Sequence, residues 1–243
     1  MTWAKQLFKD SPLSIAQGEV SGHSFIHKFG AVPAMSQNQT GTVWDINDTV
    51  YPWASWDTAG TVTIPAVATD DGLVVVISGL DANYLPQSET VTVSSSAAIT
   101  TTNTWSRIFR AYCTSGDNVG NINIQKGGVT VARITAGKGQ TLMSVYTVPA
   151  GYTGYLKQGV ATCQSGADAT GDMYVRYFGQ QSFRIGHSFE VSGTGGQYDY
   201  VFSVPLRIPE KTDIDVRATV RSNNARITAA FDIILVEDGY EHI

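Results

Sequence analysis

The stretch Asp213-Ile214-Asp215-Val216-Arg217-Ala218-Thr219-Val220 carries an apolar residue at every second position. Successive side chains of a strand point to opposite faces, so Ile214, Val216, Ala218 and Val220 share one face, and Asp213, Asp215, Arg217 and Thr219 share the other. One face is buried; the other is wet or paired. Ser222-Asn223-Asn224 comes next, and an Asn pair tolerates the positive φ of a tight turn. Ala225–Val236 is again strand-like, so the pattern predicts a C-terminal hairpin.

Working outward, similar short runs of Val, Ile, Thr, Tyr and Phe recur from about residue 61, each bounded by Gly, Asp, Asn, Ser or Pro. Strands are expected at Thr61–Ile64, Leu73–Ser78, Glu89–Val93, Trp105–Tyr112, Asn121–Ile124, Val129–Ile134, Leu142–Val148, Gly154–Ala161, Met173–Phe178, Ser188–Val191 and Tyr198–Val204. A 3.6-residue apolar period is absent, except that Trp3, Leu7 and Phe8 could line one side of a short helix over Trp3–Phe8. Many strands without helical crossovers imply antiparallel pairing. The expected fold is all-β, a two-sheet sandwich or jelly-roll over residues 61–243.

Residues 1–60 read differently. They hold Trp3, Phe8, Phe25, Phe29, Trp44, Tyr51, Trp53 and Trp56, including four of the five tryptophans, with no clean period. Aromatic anchors on an irregular backbone pack along something else, because the backbone polar groups need partners and each buried ring contributes about 2–3 kcal/mol. An irregular N-terminal arm is expected, lying on its own sandwich or on a neighbouring subunit. On the second reading these eight aromatics are the interaction residues.

Composition excludes several function classes. Charged residues make up 15% of the chain and the formal net charge is -5, so no basic stripe is available to neutralise nucleic-acid phosphates. No run approaches the roughly 18 apolar residues of a membrane helix, and the start MTWAKQLFKDSPLS lacks a signal-peptide core. A soluble chain made without export is expected, with Cys113 and Cys163 as free, buried thiols.

Candidate chemistry is sparse. GHSFIHKFG (22–30) places His23 and His27 four residues apart, which on a helix is half of a zinc site. Flanking glycines and Phe-Ile favour a strand instead, where i and i+4 stand about 13 Å apart and cannot clasp one ion. Ser24 also takes the place where a zinc protease needs Glu. Asp70, Asp71, Asp81 and Asp117 sit in turn-like contexts and read as turn-stabilising carboxylates. No Gly-x-Ser-x-Gly elbow or phosphate loop is present, and neither cysteine has a nearby His. No catalytic residue, metal or cofactor is expected.

The ordered set GHSFIHKFG, VWDINDTVYPW, LVVVISGLDANYLPQSETVTV, TTTNTWSRIFRAY, NVGNINI, LMSVYTVPAGYTGYL and FSVPLRIPEKTDIDVRATV resembles a family of structural proteins of tailed-bacteriophage virions. The resemblance spans nearly the whole chain and implies a non-enzymatic virion protein without supplying functional residues. A capsid decoration or cement protein is the first expectation, partnered by the major capsid protein and by copies of itself, with a trimer as the expected form. A tail, neck or fibre-base component is the second. A third reading, from another class, is a glycan-binding β-sandwich, where aromatic faces stack on sugar rings.

Overall fold

A computed structural model describes residues 11–164, 166–192, 196–221 and 224–240 of the chain. It begins with a short helix, α1 (Ser11–Ala16), whose Pro12 lies in the first turn, where a missing N–H costs nothing. The helix expected at Trp3–Phe8 lies outside the described residues. Among the described residues no helix is long and apolar enough to cross a membrane.

Two sheets form the larger sandwich. The first has the order β1 (His23–Met35), β16 (Ala225–Glu237), β11 (Tyr152–Cys163), β14 (Gln197–Ile208). The second runs β10 (Val145–Thr147), β15 (Asp213–Val220), β12 (Ala169–Arg176), β13 (Arg184–Val191), and β2 (Thr40–Thr42) shares with β10 the free side of β15. Val32, Met35, Leu156, Ile214, Val216, Ile227 and Ile233 fill the space between them. Between β2 and β10 the chain builds a smaller sandwich. Its sheets are β6 (Ile99–Thr100), β3 (Thr63–Ile64), β8 (Ile122–Lys126), β9 (Val129–Ile134), and β5 (Pro86–Thr92), β4 (Val74–Leu80), β7 (Arg107–Cys113). A second core of Trp44, Trp56, Ile64, Ile77, Trp105, Ile108 and Ile124 lies inside it. Every ladder in the four sheets is antiparallel.

Three expectations are corrected. The C-terminal hairpin does not form: β15 pairs with β2, β10 and β12, whereas β16 pairs with β1 and β11 in the opposite sheet. Asn224 does take a positive φ of 51°, but the turn carries the chain across the sandwich rather than back along a neighbour. Alternation specifies which face of a strand is buried and says nothing about which strand lies beside it.

The second correction concerns the N-terminal arm. His23–Met35 is a long strand of the main sheet, in register from His23↔Val236 to Met35↔Ala225 with one irregularity near its end. Its inward positions include Lys28 and Gly30, which hide the apolar alternation. Gly30 is required by close packing, because a Cβ there would collide with the Val43 carbonyl and Ser144. Lys28 is buried and donates from Nζ to the Phe109 carbonyl, tying β1 to β7 of the smaller sandwich.

Third, the boundary expected at residue 60 falls inside the smaller sandwich. Trp44, Tyr51, Trp53 and Trp56 belong to its core together with residues as far on as Val145. The single body expected over 61–243 is two cores, with the smaller inserted into the larger.

Candidate functional site

The eight arm aromatics separate into three groups. Trp3 and Phe8 lie outside the described residues. Trp44, Tyr51, Trp53 and Trp56 are buried in their own chain, at most 6% exposed. Their polar atoms are all satisfied there: Trp44 Nε1 donates to the Thr49 carbonyl, Trp53 Nε1 to Asp215, Trp56 Nε1 to the Tyr51 hydroxyl, and that hydroxyl to the Ile108 carbonyl. These four are core and cannot meet a neighbour. Phe25 and Phe29 are the exception, at 40% and 37% exposed.

Phe25 and Phe29 belong to a larger surface assembled by strand register. On β1 the inward set is Ile26, Lys28, Gly30 and Val32, so Phe25, His27 and Phe29 point away from the core. Across the sheet Phe29 aligns with Ala230, Val160 and Asp199; His27 with Asp232, Gln158 and Val201; and Phe25 with Ile234, Tyr155 and Arg207. The outer face of the β1-β16-β11-β14 sheet thus has apolar rows through Phe25 and Phe29, each ending on a charged residue of β14, with the polar row His27–Asp232–Gln158 between them. In that row His27 Nδ1 lies 2.6 Å from Asp232 Oδ1, and Gln158 Nε2 donates to Asp199 Oδ1 at 3.0 Å. Thr162 and Thr228 are hydrogen-bonded to each other at one end of the face. Phe25, Phe29 and Val201 stand exposed on this face.

The face ends at a free strand edge. β14 pairs with β11 on one side only. Between Leu156↔Leu206 and Gln158↔Val201 four residues of β14 oppose one of β11, so Phe202–Pro205 bulges, leaving Val204 79% exposed. Pro205 removes one donor from this edge, a device that discourages indiscriminate strand addition. Behind the bulge, His187 and Phe189 of β13 pack against Tyr198, Tyr200 and Phe202 of β14 and close the open side of the sandwich.

The remaining sequence candidates have structural employment. His23 and His27 lie on a strand, as their context suggested, and His23 Nδ1 faces the Ser21 carbonyl at 2.9 Å. No group of three or more metal-ligating side chains occurs among the described residues. Asp81 is a local turn acceptor, bonded by the Asn83 and Leu85 amides, but Asp70 reaches the distant amides of Val119 and Gly120 and braces two loops. Cys113 and Cys163 are free and partly buried, and burial pushes both thiols up, which leaves little thiolate for chemistry.

A cluster that sequence reasoning described only as a polar strand face joins the two sandwiches. Asp213 accepts from Arg107 Nε at 2.7 Å and Nη2 at 3.0 Å, from Arg176 Nη2 at 2.7 Å and from Thr147 Oγ1 at 2.7 Å. Asp215 accepts from Thr42, Trp53 and Arg217. Burial pushes the Asp215 carboxyl up, against the opposing charge of Arg217 and these hydrogen bonds. Both faces of β15 are therefore covered, the apolar one by the larger core and the ionic one by the smaller sandwich.

No family model matches the chain, and no curated protein matches it. Among solved structures, the chain is similar to one described as the structure of infectious bursal disease virus, Gx strain, at 12% identity and a TM-score of 0.22. That alignment covers 90% of this chain and 72% of the other. At so low a TM-score the likeness carries no argument about fold or function.

Proposed function

We propose that the protein is a non-enzymatic structural component of a tailed-bacteriophage virion, a capsid decoration protein, and that it associates with a second copy of itself through the outer face of the β1-β16-β11-β14 sheet. The observation that carries the assembly reading is that face, with Phe25, Phe29 and Val201 exposed beside half-buried Tyr155, Val160 and Ile234. Its strands have 12 or 13 residues. Four such strands span about 40 Å by about 19 Å, or roughly 750 Å². Standard interfaces bury about 600–1,000 Å² per partner, and this one face falls within that range. Asp199 and Arg207 lie at opposite ends of the outer strand, so an antiparallel two-fold contact brings each near its opposite charge on the second copy.

A face that meets itself is isologous and closes as a dimer; the trimer expected from sequence needs two different complementary patches. The virion assignment rests on the motif resemblance, and the decoration role on the two-core β-body with its exposed sheet face. The test is copy number: densitometry of purified virions should give between about one copy per major capsid protein and one per three, as repeated binding to a lattice requires. About a dozen copies per particle would transfer the protein to the tail, neck or fibre base.

A further inference from the structure

Where the two sandwiches meet, a cavity of about 260 Å³ opens beside the Asp213 cluster. Its walls come from both bodies: Tyr84 and Arg107 from the smaller sandwich, Arg176, Phe178, Gln181 and Lys211 from the larger. Junctions of this kind are common ligand sites, and the volume is just under the roughly 300 Å³ where small-molecule pockets begin. One sugar ring or a molecule of that size fits the space.

The polar lining has a definite sign. Three cations, Arg107, Arg176 and Lys211, face two carboxylates, Asp57 and Asp213. Asp213 is already committed to both guanidiniums. Arg176 spends Nε and Nη2 on it, and its Nη1 makes no hydrogen bond within the described protein. Lys211 Nζ is 3.9 Å from Glu210, too far for a hydrogen bond, and lies over the Phe178 ring. Both donors are available to an oxyanion, in a chain whose overall charge is negative.

Other features specify more than an anion. Phe178 is 62% exposed and meets Tyr84 edge to face, forming an aromatic wall at the mouth. Gln181 has no side-chain partner within the described protein, and its amide can both donate and accept. Tyr84 and Lys211 hold φ values of 65° and 56°. Among the described residues they are the positive-φ positions occupied by neither Gly, Asn nor Asp, and both line this cavity.

We infer that this cavity binds a carboxylate-bearing sugar unit, the carboxylate held by Arg176 and Lys211 and the ring placed against the Tyr84–Phe178 wall with its hydroxyls on Gln181. A phosphate ion alone would satisfy the cations and leave the aromatic wall and the amide without a role. This inference stands apart from the assembly reading, since the cavity lies at the sandwich junction and shares no residue with the sheet face.

Calorimetric titration of the full chain with glucuronate, glucose and inorganic phosphate tests it, with thermal melts to check that each variant is folded. Glucuronate should bind in the millimolar range, as one small ring allows, with glucose and phosphate at least about tenfold weaker. Lys211→Asn keeps a residue that tolerates the positive φ and should weaken glucuronate about tenfold. Phe178→Ser, at an exposed position, should weaken it about fivefold. Absence of glucuronate binding, equal binding of glucose or phosphate, or unchanged affinity in a folded Lys211→Asn variant would overturn the inference.

Discussion

Replacing Asp213 with Asn tests the joint between the sandwiches, because the substitution keeps the shape of the side chain and removes its charge. Asp213 is 3% exposed and Arg107 8%, and the carboxylate accepts from two guanidiniums and Thr147. An amide retains one acceptor oxygen and turns an NH2 group toward the guanidiniums, leaving two buried cations without a counter-charge. Breaking a buried pair from one side costs about 3–5 kcal/mol, and for a chain of this length each kcal/mol shifts Tm by about 2–4 °C. Asp213→Asn should therefore lower Tm by about 10 °C and the urea midpoint accordingly. Adding Arg107→Met should restore about 1–2 kcal/mol, since one of the stranded cations is removed. A loss under about 1 kcal/mol for Asp213→Asn, or a double variant that is simply additive, would refute the claim that this carboxylate holds the two bodies together.

Three further outcomes follow from individual residues. Burial, aided by the charge of Arg110, lowers Lys28 to about 7, and burial raises Asp45 to about 7 against hydrogen bonds from Leu142 and Thr135. Between pH 3.8 and about 7 the folded chain holds the Asp45 proton that the unfolded chain has lost, so stability falls as pH rises; between about 7 and 10.5 the unfolded chain holds the Lys28 proton that the folded chain has lost, so stability rises. Urea titrations should show these two groups producing a minimum near neutral pH, and Lys28→Met should abolish the rise above it. Gly30→Ala should cost about 1–3 kcal/mol in the same titrations, because Val43 and Ser144 must give way; an unchanged midpoint would remove the reason given for Gly30. Alkylation of unreduced protein should modify both Cys113 and Cys163 after unfolding and label them slowly when folded, and a chain that resists labelling even when unfolded would mean a disulfide.

Strand content was legible where short runs of β-branched and aromatic residues are bounded by turn residues: Val129–Ile134 has the bounds expected of it. β12 (Ala169–Arg176) alternates buried and half-buried along its whole length, yet its first half, Ala-Thr-Gly-Asp, reads as a turn, so only the part from Met173 was expected. β1 was not legible as a strand of the body because its inward face mixes Lys28 and Gly30 with Ile26 and Val32, and both exceptions answer to distant partners: a Phe109 carbonyl and the Val43–Ser144 backbone. β6 has two residues and is held by β3 alone, so its own sequence carries almost no signal. The tryptophans marked the right region for the wrong reason. Their density reflects the joint between two cores, and aromatic density alone does not distinguish an internal joint from an external one. Phe25 and Phe29 were expected as contact residues from sequence and are exposed, but Tyr155, Val160, Val201 and Ile234 could not be grouped with them, since the register that assembles the face links them to positions more than a hundred residues away.

Light scattering on the purified chain, compared with a Phe25→Asp/Phe29→Asp variant, addresses the assembly claim most directly. Both substitutions are on exposed positions of the sheet face, so the variant should unfold at nearly the same urea concentration as the parent. The account predicts a parent mass of twice 26.1 kDa at micromolar concentration and a variant mass of 26.1 kDa. A parent that stays at 26.1 kDa at every concentration, or a folded variant that keeps the parent's oligomeric mass, would contradict it.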